Sequence, residues 1–251
     1  MTGYMEQIES TFCGRIVQYE RKPSADMNIR LIIFDFDGTL GDTRRHIVMT
    51  LQQTMREKQL PVIDEARCAA TIGLTLKDSF KTLFPYLTDE AAEECAATYR
   101  RIFEDNKKEM MPQLFPHVAE TLAEVKRRGI TMSVASSRNS TSLRGFLKDM
   151  GIGPFVSSVV GAEDVSNPKP NPEPVLKTLV AMNIPASETL VVGDMPVDIL
   201  MGRNVGTRTC GVTYGNASHQ QLEEAGADFI IDDICELTNT IGCRLLETQT
   251  L

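Results

Sequence analysis

Residues 31–34 form an apolar run that ends abruptly in two carboxylates. Together with the flanking residues 29–30, this run predicts a strand buried on both faces of a parallel sheet. Side chains alternate along a strand, so Asp35 and Asp37 should project from the same side of its carboxyl end, where open α/β sheets bind ligands. Two carboxylates this close are costly to bury without a cation or hydrogen bonds. The glycine that comes after them, Gly38, favours a tight turn.

After this strand in the sequence, the pattern of apolar residues becomes helical. Apolar residues recur at spacings of three and four, which predicts amphipathic helices, and residues 43–112 contain no convincing strand. Thr88-Asp89 is a candidate amino-terminal cap for the last helix of this region. The predicted helices span residues 43–58, 64–71, 76–83 and 89–108. The sequence therefore predicts an all-helical insert directly after the first strand.

From residue 113 onward, strand-like and helical segments alternate, which indicates a parallel, doubly wound sheet with right-handed crossovers. The predicted strands span 130–135, 155–160, 189–193, 207–212 and 228–231. The predicted helices span 117–128, 142–150, 174–182, 197–203, 218–225 and 233–247.

The expected fold class is α/β, a doubly wound parallel sheet with a Rossmann-like core and a second, smaller all-helical cap domain. The core is expected over 29–42 and 113–251, and the cap over 43–112. Residues 1–28 are polar and weakly patterned, and are expected to be an N-terminal extension.

Composition narrows the class of protein without naming an activity. Hydrophobic residues at 42% and charged residues at 24% are ordinary for a globular chain of 251 residues. The net charge of −8 and the lack of a basic block argue against nucleic acid or an anionic membrane as a partner. Six cysteines without metal-binding spacing read as reduced thiols. Neither a bilayer-spanning run nor a secretion signal is recognised, so we expect a cytoplasmic protein.

Polar residues also come after later strands of the predicted sheet. Ser136 comes after one strand, Lys169 lies in a proline-rich loop, and Asp194 and Asp198 come after another strand. The carboxyl ends of parallel strands meet at one edge, so these residues should join the two aspartates of the first strand. A carboxylate that attacks a phosphate dianion needs Mg²⁺ and a lysine against like-charge repulsion, and donors for the phosphoryl oxygens. The set therefore indicates phosphoryl transfer.

Four segments resemble, in order, the motifs of the haloacid dehalogenase-like (HAD) hydrolases. They are Asp35-Phe36-Asp37-Gly38-Thr39-Leu40, Ser136 after an apolar strand, Lys169-Pro170-x-Pro172 and Gly193-Asp194-x-x-x-Asp198. The resemblance covers residues 29–247 and is closest to members with a helical cap, such as the phosphoglycolate phosphatases. Segments 114–116, 212–215 and 227–232 also look like that group.

The resemblance implies a role for each matching residue. Asp35 would be the nucleophile, and Asp37 the acid for the leaving alkoxide and then the base for the hydrolytic water. Ser136 would bind the phosphoryl group, and Lys169 would hold both phosphoryl group and nucleophile. Ser137 stands where the family frequently has asparagine, and is a further candidate for phosphate binding.

The resemblance also implies Mg²⁺, held by Asp35, the backbone carbonyl of Asp37 and Asp194, with Asp198 close by. In the predicted insert, residues 71–77 interrupt the helical pattern with glycine and resemble the family's cap loop that faces the active site. Gly73 or Lys77 would then contact the substrate. An ordinary helix–helix loop with a solvent-facing lysine is the equal alternative.

The expected activity is Mg²⁺-dependent hydrolysis of a small phosphorylated metabolite, with phosphoglycolate or sugar phosphates leading and nucleotides or pyrophosphate behind. The expected partner is this metabolite alone, and the expected state is a monomer or homodimer. A sugar phosphomutase shares the core and stays open as an alternative. A phospho-accepting receiver domain also stays open, although its aspartate lies on a middle strand without a helical cover.

Two other activities of the same broad family are less favoured. A dehalogenase has no need of an acid at position 37. A phosphonate hydrolase would use a cap lysine, for which Lys58, Lys77 and Lys81 are available, but its first motif usually lacks the second aspartate.

Overall fold

A six-stranded parallel sheet forms the centre of the protein. The computed structural model describes residues 28–106 and 112–242. The strands are β1 (Leu31–Phe34), β2 (Gly41–Asp42), β3 (Gln113–Leu114), β4 (Thr131–Ala135), β5 (Ser158–Val160), β6 (Thr189–Gly193), β7 (Arg208–Val212) and β8 (Phe229–Ile231). The large sheet has the order β5-β4-β1-β6-β7-β8, and all its pairings are parallel. The predicted doubly wound parallel sheet is therefore confirmed.

The α-helices of the described residues form one group between β2 and β3, and alternate with the strands of the large sheet after β3. The first group is α1 (Arg44–Glu57), α2 (Glu65–Ala69), α3 (Leu76–Leu83) and α4 (Asp89–Asn106). The second group is α5 (Val118–Arg127), α6 (Ser140–Asp149), α7 (Glu173–Met182), α8 (Pro196–Arg203), α9 (His219–Glu224) and α10 (Leu237–Thr240). Among the described residues, no helix combines the length and apolar character needed to cross a bilayer.

Both faces of β1 are buried, as the unbroken apolar run predicts. Ile32 and Phe34 belong to a large cluster that continues into the helices α1 to α4. Leu31 and Ile33 point to the opposite face, where they pack in a smaller cluster that includes Val175 of α7. Helices thus cover the sheet on both sides, and β1 lies between β4 and β6 near its middle. The turn after β1 is therefore placed at the centre of the sheet's carboxyl edge.

The helices α1 to α4, called here the helical insert, leave and rejoin the rest of the chain at one place. β2 and β3 pair antiparallel, with Gly41 opposite Leu114 and Asp42 opposite Gln113. Thr88 caps α4, since its side-chain oxygen accepts a hydrogen bond from the amide of Ala91 at 3.2 Å. The domain boundaries at residues 42/43 and 112/113 stay predictions, and the N-terminal extension up to residue 27 lies outside the described residues.

Two local expectations differ from the structure, and one element was not expected. The strand expected from residue 155 begins only at Ser158, because Gly153–Phe155 forms a 3₁₀ turn in which Pro154 supplies the fixed φ of a helix start. The expected helix 233–247 begins as a 3₁₀ turn at Ile234–Glu236 and continues as α10, and residues beyond 242 lie outside the described part. The ribbon of β2 and β3 was not predicted, because two-residue strands show no periodicity.

Candidate active site

The turn after β1 is held by its own backbone. The amide of Asp35 continues the sheet by donating to the carbonyl of Val192 at 2.8 Å, and Phe36 O accepts from the amides of Leu40 and Gly41. Gly38 has φ of +93°, and a Cβ there would lie 2.2 Å from Oδ2 of Asp194. Only glycine fits both this conformation and this space. The turn therefore brings the first motif directly against the loop after β6.

Lys169 links two aspartates that are distant in the sequence. Its Nζ lies 2.5 Å from Oδ1 of Asp35 and 2.7 Å from Oδ1 of Asp198, and all three side chains are at most 5% exposed. Burial alone lowers the pKa of Lys169, but the two carboxylates reverse this and raise it, so the amine stays charged. Burial raises the pKa of Asp35 well above its usual value, with Lys169 acting against it and neighbouring aspartates adding to it.

Asp194 is fully buried and held by the loop after β7. Its Oδ2 accepts hydrogen bonds from the backbone amide and the side-chain amide of Asn216, both at 2.8 Å. The hydroxyl of Thr39 donates to its Oδ1 at 3.3 Å. Burial and the nearby Asp198 raise the pKa of Asp194 to about 7, although Asn216 and Lys169 act in the opposite direction. In the absence of a bound cation, the ionised form of this carboxylate is therefore disfavoured in the folded protein up to about pH 7.

Asp37 forms a forked ion pair with Arg138. Nη2 of Arg138 lies 2.6 Å from Oδ1 of Asp37, and Nε lies 3.1 Å from Oδ2. Arg138 lies in the loop between β4 and α6, directly after Ser136 and Ser137. Ser136 accepts a hydrogen bond from the amide of Arg138 at 3.2 Å, and Ser137 donates to the carbonyl of Gly73 in the insert at 2.6 Å. This loop thus contacts both the first motif and the insert.

The remaining negative charge of the site suits one divalent cation. Asp35, Asp194 and Asp198 each offer a carboxylate oxygen, and these three atoms lie within 4.8 Å of one another. Before substrate binds, with Asp37 ionised and paired with Arg138, the site has four negative aspartates against the two cations Arg138 and Lys169. The difference is two negative charges. Clustered carboxylate oxygens are the ligands that hard divalent ions prefer.

Comparison with protein families matches residues 32–212 to the haloacid dehalogenase-like hydrolases. The chain belongs to this family. It is 34% identical over 217 residues to the probable phosphatase IndB of Dickeya dadantii, with 86% of this chain and 94% of IndB covered. It is 30% identical to the pyrophosphatase PpaX of Bacillus velezensis (87% and 99% covered) and to the phosphoglycolate phosphatase of Photorhabdus laumondii (88% and 96% covered).

A hydrolase from Pseudomonas syringae has the same fold as this HAD chain. Its crystal structure superposes with a TM-score of 0.76 at 26% identity, covering 85% of this chain and 97% of that one. The sequence relatives and the fold agree on one class of enzyme. The chain is a phosphatase of the HAD family.

The structure gathers most of the predicted site residues at the carboxyl edge of the HAD sheet. Asp35, Lys169 and Asp198 are in direct contact, and Asp194 offers its oxygen to the same cluster. Asp37 is paired with Arg138, next to Ser136 and Ser137, and Gly73 reaches the site through Ser137. Lys77 is engaged elsewhere, since its Nζ lies 2.6 Å from Asp89 at the start of α4. The role of each of these residues stays a prediction.

Sequence reasoning missed two polar residues of the site, Arg138 and Asn216. Both lie in a loop after a strand of the parallel sheet, so the rule that identified Ser136 and Asp194 applies to them as well. Their position after a parallel strand therefore made both residues candidates. That position does not indicate which of several loop residues directs its side chain toward the site.

Proposed function

We propose that this phosphatase is a Mg²⁺-dependent hydrolase of small phosphate monoesters that works through an aspartyl-phosphate on Asp35. The contact of Lys169 with both Asp35 and Asp198 carries the proposal. It points an oxygen of a buried carboxylate toward a fixed cation, beside further aspartates. A nucleophile that approaches an anionic phosphate needs such neutralisation.

The first half-reaction transfers the phosphoryl group to the enzyme. A carboxylate oxygen of Asp35 attacks phosphorus, and the bond from phosphorus to the leaving oxygen breaks. Asp37, which takes up a proton when the substrate binds, gives this proton to the leaving alkoxide. Lys169 and the Ser136 hydroxyl hold the phosphoryl oxygens. The products of this step are a free alcohol, an acyl phosphate on Asp35 and an ionised Asp37.

The second half-reaction returns the enzyme to its starting state. A water molecule attacks phosphorus, Asp37 accepts one of its protons, and the bond between phosphorus and Asp35 breaks. Inorganic phosphate leaves, with Asp35 ionised and Asp37 protonated again. Asp37 therefore serves first as acid and then as base. One carboxyl group can do both only if it reaches the leaving oxygen and the oxygen of the attacking water.

Mg²⁺ fits the residues present at this site. Asp35, Asp194 and the backbone carbonyl of Asp37 would hold it, with Asp198 beside them, and the excess of two negative charges supports a divalent ion. When bound, Mg²⁺ neutralises charge on the phosphoryl oxygens and on the nucleophile. The raised pKa of Asp194 also supports a bound cation, because a cation beside this buried carboxylate would favour its anion and lower that pKa.

A small substrate is supported by the covering of the site. The hydrogen bond from Ser137 to Gly73 draws the insert over the edge of the sheet. We propose phosphoglycolate or a sugar phosphate as the leading substrate class, in line with the phosphoglycolate phosphatase of P. laumondii.

Pyrophosphate is the second candidate, because PpaX of B. velezensis is a pyrophosphatase of equal identity to this chain. A sugar phosphomutase would return the phosphoryl group to an isomerised sugar instead of water. A receiver-type domain would take up one phosphoryl group per chain without turnover. Phosphate release and turnover number separate these alternatives.

The test is a screen of phosphoglycolate, sugar phosphates, nucleotides and pyrophosphate with Mg²⁺ and with EDTA. We expect phosphate release over many turnovers with Mg²⁺ only, and loss of release in Asp35→Asn. Asp149→Asn, an exposed carboxylate on α6, is the matched control and should behave as the parent. Turnover by Asp35→Asn at the parental rate would refute the proposal, as would isomerisation of a sugar phosphate without net phosphate release.

A further inference from the structure

Arg138 holds both oxygens of Asp37 at once. Nε and Nη2 of the guanidinium take one oxygen each, at 3.1 and 2.6 Å, and the two side chains are only 10% and 12% exposed. A forked pair of this kind fixes the plane of the carboxylate as well as its position, which a lysine with one contact cannot do. The direction in which Asp37 points is therefore set by Arg138 in this state of the protein.

Two aromatic rings pack against the guanidinium of Arg138, and they come from different parts of the fold. The Cζ atom of Arg138 lies 4.9 Å from the ring centre of Phe103 and 5.0 Å from that of Phe146. Phe103 belongs to α4 of the helical insert, whereas Phe146 belongs to α6 beside the sheet. The two rings meet edge to face at 6.0 Å. Each ring contact stabilises the cation at this place.

The backbone groups of Arg138 itself bond outside the insert, whereas the side chain of the preceding residue, Ser137, donates to Gly73 of the insert. The amide of Arg138 donates to the Ser136 hydroxyl at 3.2 Å, and its carbonyl accepts from the amide of Ala162 at 2.9 Å. Its backbone thus belongs to the sheet domain, while one of the two rings on its guanidinium belongs to the insert. A movement of the insert would change the packing at Phe103, whereas both of these backbone hydrogen bonds of Arg138 lie outside the insert.

We propose that Arg138 is the positioning residue for Asp37, and that Phe103 makes this positioning depend on where the helical insert lies. The proposal rests on the acid–base function proposed for Asp37. One oxygen of Asp37 must face the leaving group during the reaction, so Arg138 must then release that oxygen and keep the other. Packing of Phe103 on the guanidinium determines how readily Arg138 releases that oxygen. This packing links closure of the insert to the orientation of Asp37.

The experiment compares two substrates that differ in their need for an acid. An alkyl phosphate releases a basic alkoxide that requires a proton, whereas para-nitrophenyl phosphate releases an anion that does not. For both we would measure kcat/KM, which covers the steps up to departure of the leaving group. General acids contribute about 10²–10⁴-fold to such steps. We expect Arg138→Met to lower kcat/KM for the alkyl ester by about 10²-fold and for the aryl ester by less than about threefold.

Companion variants separate positioning from structure. Arg138→Lys keeps the cation without the fork, and should restore part of the loss on the alkyl ester. Phe103→Leu should also lower kcat/KM more for the alkyl ester than for the aryl ester, by a smaller factor than Arg138→Met does. Combining the two substitutions should lower kcat/KM no further than Arg138→Met alone. Arg144→Met, an exposed arginine on α6, is the control and should leave both substrates unchanged. Thermal melting of each variant identifies any that fails to fold.

The possible outcomes point in different directions. Equal losses on both substrates in Arg138→Met and Arg138→Lys would overturn the proposal, since they mean that Arg138 binds the phosphoryl group itself. If Phe103→Leu left the ratio of kcat/KM for the two esters at the parental value, the link to the insert would be overturned. Normal turnover in Asp35→Asn would instead refute the proposed reaction, and is measured separately from the leaving-group comparison.

Discussion

Replacing Asp194 by asparagine should make the metal-free protein more stable at high pH. The pKa of Asp194 is raised from 3.8 to about 7 by burial and by Asp198. At pH values between these two, the folded protein binds more protons than the unfolded chain, so stability is lost as the pH rises. Above about pH 7 the full cost of about three pH units, or about 4 kcal/mol, applies. An asparagine is neutral and avoids this cost.

The contacts of Asp194 survive the exchange. An amide oxygen still accepts from both donors of Asn216, and the new amide nitrogen faces the Thr39 hydroxyl, which can accept as well as donate. In EDTA near pH 8 we therefore expect Asp194→Asn to exceed the parent by about 2–4 kcal/mol in the free energy of unfolding. Below about pH 4 the difference should vanish.

Urea unfolding in EDTA, followed by circular dichroism across this pH range, measures the effect. Adding Mg²⁺ near pH 8 should stabilise the parent, as any ligand of the folded state does, and have little effect on Asp194→Asn. Asp149→Asn is the control for removal of an exposed carboxylate and should match the parent throughout. A variant less stable than the parent in EDTA, or a difference that does not change with pH, would refute the reasoning.

Three further predictions concern single residues. Lys169→Met should lower the free energy of unfolding by about 3–5 kcal/mol in urea and abolish turnover, because two buried carboxylates lose their cation; unchanged stability would contradict this. Gly38→Ala should abolish Mg²⁺-dependent activity, because its Cβ would lie 2.2 Å from Asp194, whereas Gly129→Ala, which has a similar positive φ and open space, should cost only about 1–3 kcal/mol of backbone strain and remain active. Burial raises the pKa of the Cys210 thiol to about 12, so iodoacetamide should not label it in the native protein near pH 8; mass spectrometry that finds native labelling there would refute this.

The fold was predictable from the sequence because its signals are local. The apolar run of β1, the glycines and the change from helical to alternating periodicity each need only a few neighbouring residues. The same holds for Asp35, Asp37 and Asp194, since the loops after parallel strands all meet at the carboxyl edge of the sheet. Elements without a period, such as the two-residue strands β2 and β3, escape this reasoning.

The parts of the site that were not predicted depend on choices between distant partners. Arg138 is one of several polar residues in its loop, and nothing nearby in the sequence indicates that it pairs with Asp37, about 100 positions away. Lys77 lies in the first turn of α3, at the end of the segment 71–77 expected to face the substrate, and pairs with Asp89 at the start of α4, so its contact with the substrate stays a prediction. Whether a long charged side chain turns toward a site or away from it depends on the nearest opposite charge in three dimensions.

The antiparallel pairing of β2 with β3 has a consequence for how such a protein can change. Because Gly41 and Leu114 already lie in register, excision of everything between them would leave two adjacent chain ends that a short turn can rejoin. The central sheet and its four aspartates would keep their connectivity. The helical insert is joined to the rest of the chain only at the β2–β3 pair. A different insert could therefore be joined at the same place without changing the residues at the carboxyl edge of the sheet.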